Sequence, residues 1–172
     1  MNDISSEAIQ EKNNLLSDMK SIILSTVDRE KLPNASYAPS AIDDEGNFYV
    51  YISELSKHTR NLLKSSVASI MIIEDESKAD NLFARKRFTI EAKSVEVGRD
   101  TDEWVNKMDL MQGKFGESIS YLRNLTDFRM FKLSPKGGLL VYGFARAFHF
   151  TGMKLDKVKY LNEKGHTQKS KD

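Results

Sequence analysis

Apolar and polar residues change rhythm several times along this chain, and each change marks an element. Near the N-terminus, Ile9, Leu15, Leu16, Met19, Ile22 and Ile23 recur at three- and four-residue spacings after Ser5 and Ser6, either of which can cap a helix. The spacing predicts one amphipathic helix that covers an end of the core. From Lys31 the texture becomes extended. Pro33 and Pro39 hold residues 32–40 away from helical geometry, residues 43–47 form a turn, and the aromatic and β-branched run 48–53 is a strand. These two stretches read as a hairpin. Ser56 opens a short helix over residues 57–64, the unbroken apolar run 68–73 reads as a buried strand, and acidic residues 74–76 end it.

Strict alternation follows, with Phe88, Ile90 and Ala92 on one face, Thr89, Glu91 and Lys93 on the other, and Val95 and Val97 extending the pattern. Thr101 can cap a helix that turns Trp104, Val105, Met108 and Met111 inward; Gly113 and Gly116 break it, and residues 119–125 supply another helical turn or two. Strands at 128–133 and 139–142 flank a turn over 134–138, and 145–150 is the last strand. About six strands with interspersed helices predict an α+β barrel. Beyond residue 152 the chain is polar and reads as a tail with no apolar reason to pack.

Composition narrows the function classes. At 172 residues the chain suits one domain with a single core, and a formal net charge of +1 gives no argument for a nucleic-acid partner. No apolar run approaches the roughly 20 residues that span a bilayer, and residues 1–14 lack the basic start and apolar stretch of a signal peptide. The chain therefore reads as cytoplasmic, with no membrane role. Cysteine is absent, which excludes disulfides, thiolate chemistry and sulfur-held zinc or iron. Metal chemistry is left to histidine, carboxylates and tyrosine.

Several stretches in order resemble the HugZ/HutZ haem-utilisation family, a branch of the pyridoxamine 5'-phosphate oxidase-like split β-barrels. They are Pro33-Asn-Ala-Ser-Tyr-Ala-Pro39, Ile52-Ser53 with Lys57-His-Thr-Arg-Asn-Leu62, Ser69-Ile-Met-Ile-Ile-Glu-Asp-Glu76, Phe83-Ala-Arg-Lys-Arg-Phe-Thr89, Leu125-Thr-Asp-Phe128, Gly143-Phe-Ala-Arg-Ala147 and Gly165-His166. The chain departs from the pattern at Ala145, where the family carries a second glycine, and alanine resists a positive φ. The resemblance implies an α+β split β-barrel of about six mainly antiparallel strands with peripheral helices, working as a homodimer. It implies three segments: a helix over 1–30 packed on the barrel, the barrel over 31–152, and a haem-binding tail over 153–172. It further implies haem b as cofactor and substrate, with FMN as the less favoured alternative, and a reductase or small reductant as electron donor.

The histidines are His58, His149 and His166, and a neutral imidazole can hold haem iron. From the residues alone, His166 reads more simply as a surface histidine in a polar tail. The resemblance reverses that preference: it makes His166 the axial ligand, with Gly165 giving its backbone the freedom to bring the ring over the haem. Asp127 matches the position that accepts the other ring N–H, although spacing alone makes it an ordinary turn aspartate. Arg87 is the preferred propionate partner among Arg85, Lys86 and Arg87, and the bland reading is a solvated strand start. His58 reads either as a pocket-lining residue or as a local hydrogen-bonding one. His149 reads as a strand residue, and Tyr37, Tyr49 and Tyr51 as core or interface aromatics. The resemblance leaves three functions open: haem degradation, haem carriage or storage, and, as in the parent fold, flavin-dependent oxidation with Ser56, Lys57, Arg85 and Arg87 near a phosphate.

Overall fold

The structure is a computed structural model that describes residues 4–161. It opens with helix α1 (Ile4–Asp18), which turns Ala8, Lys12 and Leu15 inward. The helix stops four residues before Ile22, which instead lies in strand β1 (Ser21–Val27), where inward and outward residues alternate. The expectation of one helix through Ile23 is thus corrected: Ile22 and Ile23 suit a helical stripe and a pleated strand equally well, and cross-strand pairing decides for the strand. Strand β2 (Pro33–Pro39) pairs antiparallel with all of β1, from Ser21 opposite Pro39 to Val27 opposite Pro33. The hairpin anticipated between residues 32–40 and 48–53 is smaller than expected, formed by β3 (Ala41–Ile42) and β4 (Phe48–Ser53) around a turn at 43–47.

Helix α2 (Lys57–Leu62) leads into β5 (Val67–Ile73), which pairs with both β1 and β6 (Arg87–Val97). Thr101 caps α3 (Asp102–Phe115) by accepting the Trp104 N–H at 3.2 Å. Gly116, at φ +64°, separates α3 from α4 (Glu117–Leu122). Strand β7 (Phe128–Val141) then runs unbroken through residues read as a turn. Its register against β6 slips by one residue at Lys136, between the pairs Ala92 with Pro135 and Glu91 with Gly137, so the supposed turn is a bulge. Strands β8 (Ala147–Thr151) and β9 (Lys157–Tyr160) finish the sheet. Strand β9 falls in the stretch read as polar tail; Val158 and Tyr160 alternate with lysines and pack on the core, and that alternation is too short to stand out in sequence.

Nine strands among the described residues run β2-β1-β5-β6-β7-β4-β3, with β8 on the later part of β7 and β9 beyond it. All pairings are antiparallel, and the sheet curls into a half-barrel. Strand β4 explains the two-layer core, because consecutive residues 48–52 are all buried. Phe48, Val50 and Ile52 face the barrel interior with Leu24, Ile70, Ile90 and Phe131, whereas Tyr49 and Tyr51 face a second core built from Trp104, Met108, Met111 and Ile119 of α3 and α4. Together these features make the α+β split barrel expected from the sequence.

Candidate functional site

Arg87 opens β6, paired with Ile73 on one side and Val141 on the other. Its neighbours in the ladder point outward with it, because β5 turns Ala68, Ile70 and Ile72 inward, and β6 turns Phe88, Ile90 and Ala92 inward. A cross-strand row on this outer face runs Tyr37, Ile23, Met71, Thr89, Leu139 and His149. The outer face therefore combines one guanidinium with Ile73, Met71, Leu139 and Val141. Arg87 itself is half-buried and spends one N–H on the Arg85 carbonyl at 2.9 Å. Lower on the same face lies a concavity of about 490 Å³, floored by Ser25 and Ser69 and edged by Val67, Glu91 and Lys136. Small side chains on adjacent strands leave the hollow.

Asp127 lies immediately before β7, at the far end of the β6–β7 ribbon. Thirteen steps of β7 separate its neighbour Phe128 from Val141, the partner of Arg87, which is about 40 Å of strand at roughly 3.3 Å per residue. One copy of the chain therefore does not bring Arg87 and Asp127 together. What surrounds Asp127 is the end of β4: its carbonyl accepts the Glu54 N–H at 2.8 Å, and its carboxylate Oδ2 accepts the Ser53 hydroxyl at 2.9 Å. Arg99 holds the preceding segment, donating to the Arg123 carbonyl at 3.0 Å, to the Leu125 carbonyl, and to the Tyr51 hydroxyl at 2.8 Å.

His58 sits at the same end as Asp127. The link is Ser53, whose carbonyl accepts the Thr59 hydroxyl at 2.6 Å while its side chain reaches Asp127. His58 is buried at 9% exposure, and among the described residues its ring makes no hydrogen bond. Burial pushes its pKa below the ordinary imidazole value, so the ring is neutral near pH 7. Its neighbour Asn61 donates to Thr26 at 3.0 Å, which ties α2 to β1 beside the concavity. His149 is an exposed strand residue, as read from the sequence. Tyr49 and Tyr51 are core residues whose phenol pKa values burial drives upward, so neither favours a tyrosinate. His166 and Gly165 lie outside the described residues.

The sequence reading missed Ser53 and Arg99 as companions of Asp127. The Ser53–Asp127 bond spans 74 residues, and no local spacing announces such a contact. The flavin-phosphate group it considered is not gathered either. Lys57 pairs with Asp28 at 3.3 Å, and Arg85 bonds the Glu74 carbonyl and Glu76 beyond the opposite end of β5.

A sequence-family model described as pyridoxamine 5'-phosphate oxidase matches residues 8–142. The chain is also 43% identical over 149 residues to heme oxygenase HutZ of Vibrio cholerae, covering 87% of this chain and 84% of that relative. The chain belongs to the HugZ/HutZ branch of the pyridoxamine 5'-phosphate oxidase family. Solved structures agree with membership in this branch. A crystal structure of HutZ, described as the heme storage protein from Vibrio cholerae, superposes with a TM-score of 0.71 at 42% identity, covering 74% of this chain and 89% of that one. The structure of Campylobacter jejuni ChuZ gives a TM-score of 0.83 at 27% identity, covering 96% of this chain and 70% of that one. Among the described residues, no helix is long and apolar enough to cross a membrane.

Proposed function

We propose that this chain binds haem b in a cleft completed by a second copy of itself and opens the porphyrin ring to release iron. The observation that carries this reading is the 43% identity to a protein named heme oxygenase, sustained over 84% of that relative. The geometry supports it twice. The outer face offers apolar side chains for a flat porphyrin and a guanidinium, Arg87, for a propionate, a combination that fits an amphiphilic planar ligand. Arg87 and Asp127 stand at opposite ends of one chain, so a site that uses both is built from two copies. A homodimer joined through the outer face also covers Met71, Ile73 and Leu139.

In this reading His166 would hold the haem iron through its imidazole, Gly165 would give the backbone the freedom to bring it there, and Asp127 would accept the other ring N–H, fixing the tautomer and strengthening the nitrogen as a donor to iron. His58 lines the site as a neutral imidazole. Haem supplies both the oxygen-activating iron and the porphyrin that is cleaved, and a cytoplasmic reductase or small reductant supplies electrons. The chain's own share is ligation, orientation and exclusion of water.

Storage is the second reading, favoured by the description of the Vibrio cholerae structure as a heme storage protein. Turnover separates the two. Haem-reconstituted protein given ascorbate, or NADPH with a reductase, is expected to lose its Soret band and release iron; retention of a stable reduced haem would decide for storage. A purified protein absorbing near 450 nm (roughly, for a bound flavin) would overturn both. Within the haem readings, His166→Ala is expected to abolish stable haem binding while His149→Ala leaves the Soret spectrum intact. Equal spectra for the two variants would remove His166 as the ligand.

A further inference from the structure

The carboxylate proposed to face the haem ligand is not free to point anywhere. Ser53 ends β4 opposite Phe128, and its backbone carbonyl is fixed by the Thr59 hydroxyl at 2.6 Å and the Ser56 N–H at 3.1 Å. The side-chain oxygen is committed as well. It accepts the Leu55 N–H at 3.2 Å and donates its single hydrogen to Asp127 Oδ2 at 2.9 Å. The chain of donors runs one way, from the Leu55 amide through the hydroxyl to the carboxylate, and each bond polarises the next. Asp127 is pinned at its other end by the Glu54 N–H on its carbonyl at 2.8 Å. One carboxylate oxygen is thereby occupied from inside the protein. Among the described residues no donor reaches Oδ1, which is free to receive one from outside.

We propose that Ser53 is a positioning residue for Asp127, setting both the direction of its carboxylate and the strength with which it accepts the N–H of the iron-bound imidazole. This rests on the reading of Asp127 as the acceptor for His166. A carboxylate that receives a hydroxyl hydrogen bond is a weaker acceptor for a second donor, because part of its negative charge is already neutralised. Ser53 therefore moderates the push of electron density toward iron. The plain alternative is that the hydroxyl merely shapes the turn into α2 by accepting the Leu55 amide. The two differ in what the iron–histidine bond feels.

The test uses the full chain reconstituted with haem, reduced, and read by the iron–histidine stretching frequency in resonance Raman. Asp127→Asn is expected to lower the frequency, because an amide is a poorer acceptor than a carboxylate. Ser53→Ala is expected to raise it, since the unmoderated carboxylate draws harder on the imidazole N–H, with a loss of haem affinity below about tenfold. Ser53→Thr keeps the hydroxyl and is expected to restore the parent frequency. Should Ser53→Ala fail to fold, Ser53→Cys, with its weak donor, is expected to move the frequency upward in its place. If Asp127→Asn shifts the frequency and neither Ser53→Ala nor Ser53→Cys does, Ser53 is a turn residue and this inference is overturned. It is overturned equally if Ser53→Thr behaves like Ser53→Ala. If Asp127→Asn itself moves nothing, the reading of Asp127 falls, and this one falls with it.

Discussion

Gly138 and Gly137 are adjacent in β7, yet the space around them differs. A Cβ on Gly138 would lie 2.5 and 2.7 Å from ring atoms of Phe88 and 3.2 Å from the Thr89 carbonyl, whereas on Gly137 its nearest neighbour would be His149 Nε2 at 3.5 Å. Phe88 cannot retreat easily. It is fully buried and meets Phe150 edge-on at 5.5 Å. Gly138→Ala is therefore expected to destabilise the fold by about 1–3 kcal/mol, the size of an overpacking penalty, while Gly137→Ala stays within about 1 kcal/mol. Urea unfolding with an unchanged denaturant slope measures both, and equal losses would refute the distinction. Ala145 poses the reverse problem, since it adopts φ +61°. A left-handed L-residue costs roughly 1–2 kcal/mol, and glycine returns part of that through its freer unfolded chain, so Ala145→Gly is expected to gain about 0.5–1 kcal/mol. The departure at residue 145 was visible in the sequence. The difference between the two glycines was not, because it is set by a phenyl ring on the neighbouring strand.

Helix α2 is short, and its fixed points are side chains: Thr59 to the Ser53 carbonyl, Asn61 to Thr26, and a buried His58. The histidine makes the helix sensitive to acid. Burial holds its folded-state pKa below the unfolded value near 6.5. Between those two values the unfolded chain binds more protons than the folded one, so stability is level above about pH 6.5 and declines as pH falls toward the folded pKa. His58→Gln is expected to flatten that decline in thermal-unfolding midpoints of the apo protein, and His149→Gln to leave it in place. A parent midpoint independent of pH between about 7 and 5 would count against it. The elements themselves were unequally legible. Strands 48–53 and 87–97 and the Thr101-capped helix stood out because one pattern fitted them, although Val105, read as inward, lies exposed on that helix. Residues 21–27 did not, since Ile22 and Ile23 continue a helical stripe and only pairing with Pro33–Pro39 declares the strand. Strand β7 was split in two because Pro135, Gly137 and Gly138 mark a turn in most contexts, and here accommodate a bulge at Lys136.

At the scale of the molecule, the sequence pointed to Arg87, His58 and Asp127 as one site without revealing how far the sheet separates them. Distance along β7 is a property of an uninterrupted strand, and a chain read as two short strands around a turn would have folded those ends together. The proposed site consequently has a stoichiometric signature. If Arg87 of one copy and Asp127 of another serve the same haem, then Arg87→Ala and Asp127→Asn homodimers are each defective at both sites, for different reasons. A heterodimer of the two variants has one site carrying both substitutions and one carrying neither. Random exchange of equal amounts makes half of the dimers heterodimers, so co-refolded protein is expected to recover about a quarter of the parent's intact sites, read as haem turnover. Light scattering should first give a dimeric mass at micromolar concentration. A mixture no better than the average of its two parents would mean that each site draws on a single chain, and Arg87 would then lose its place beside Asp127, because 40 Å or so of strand keeps them apart within one copy.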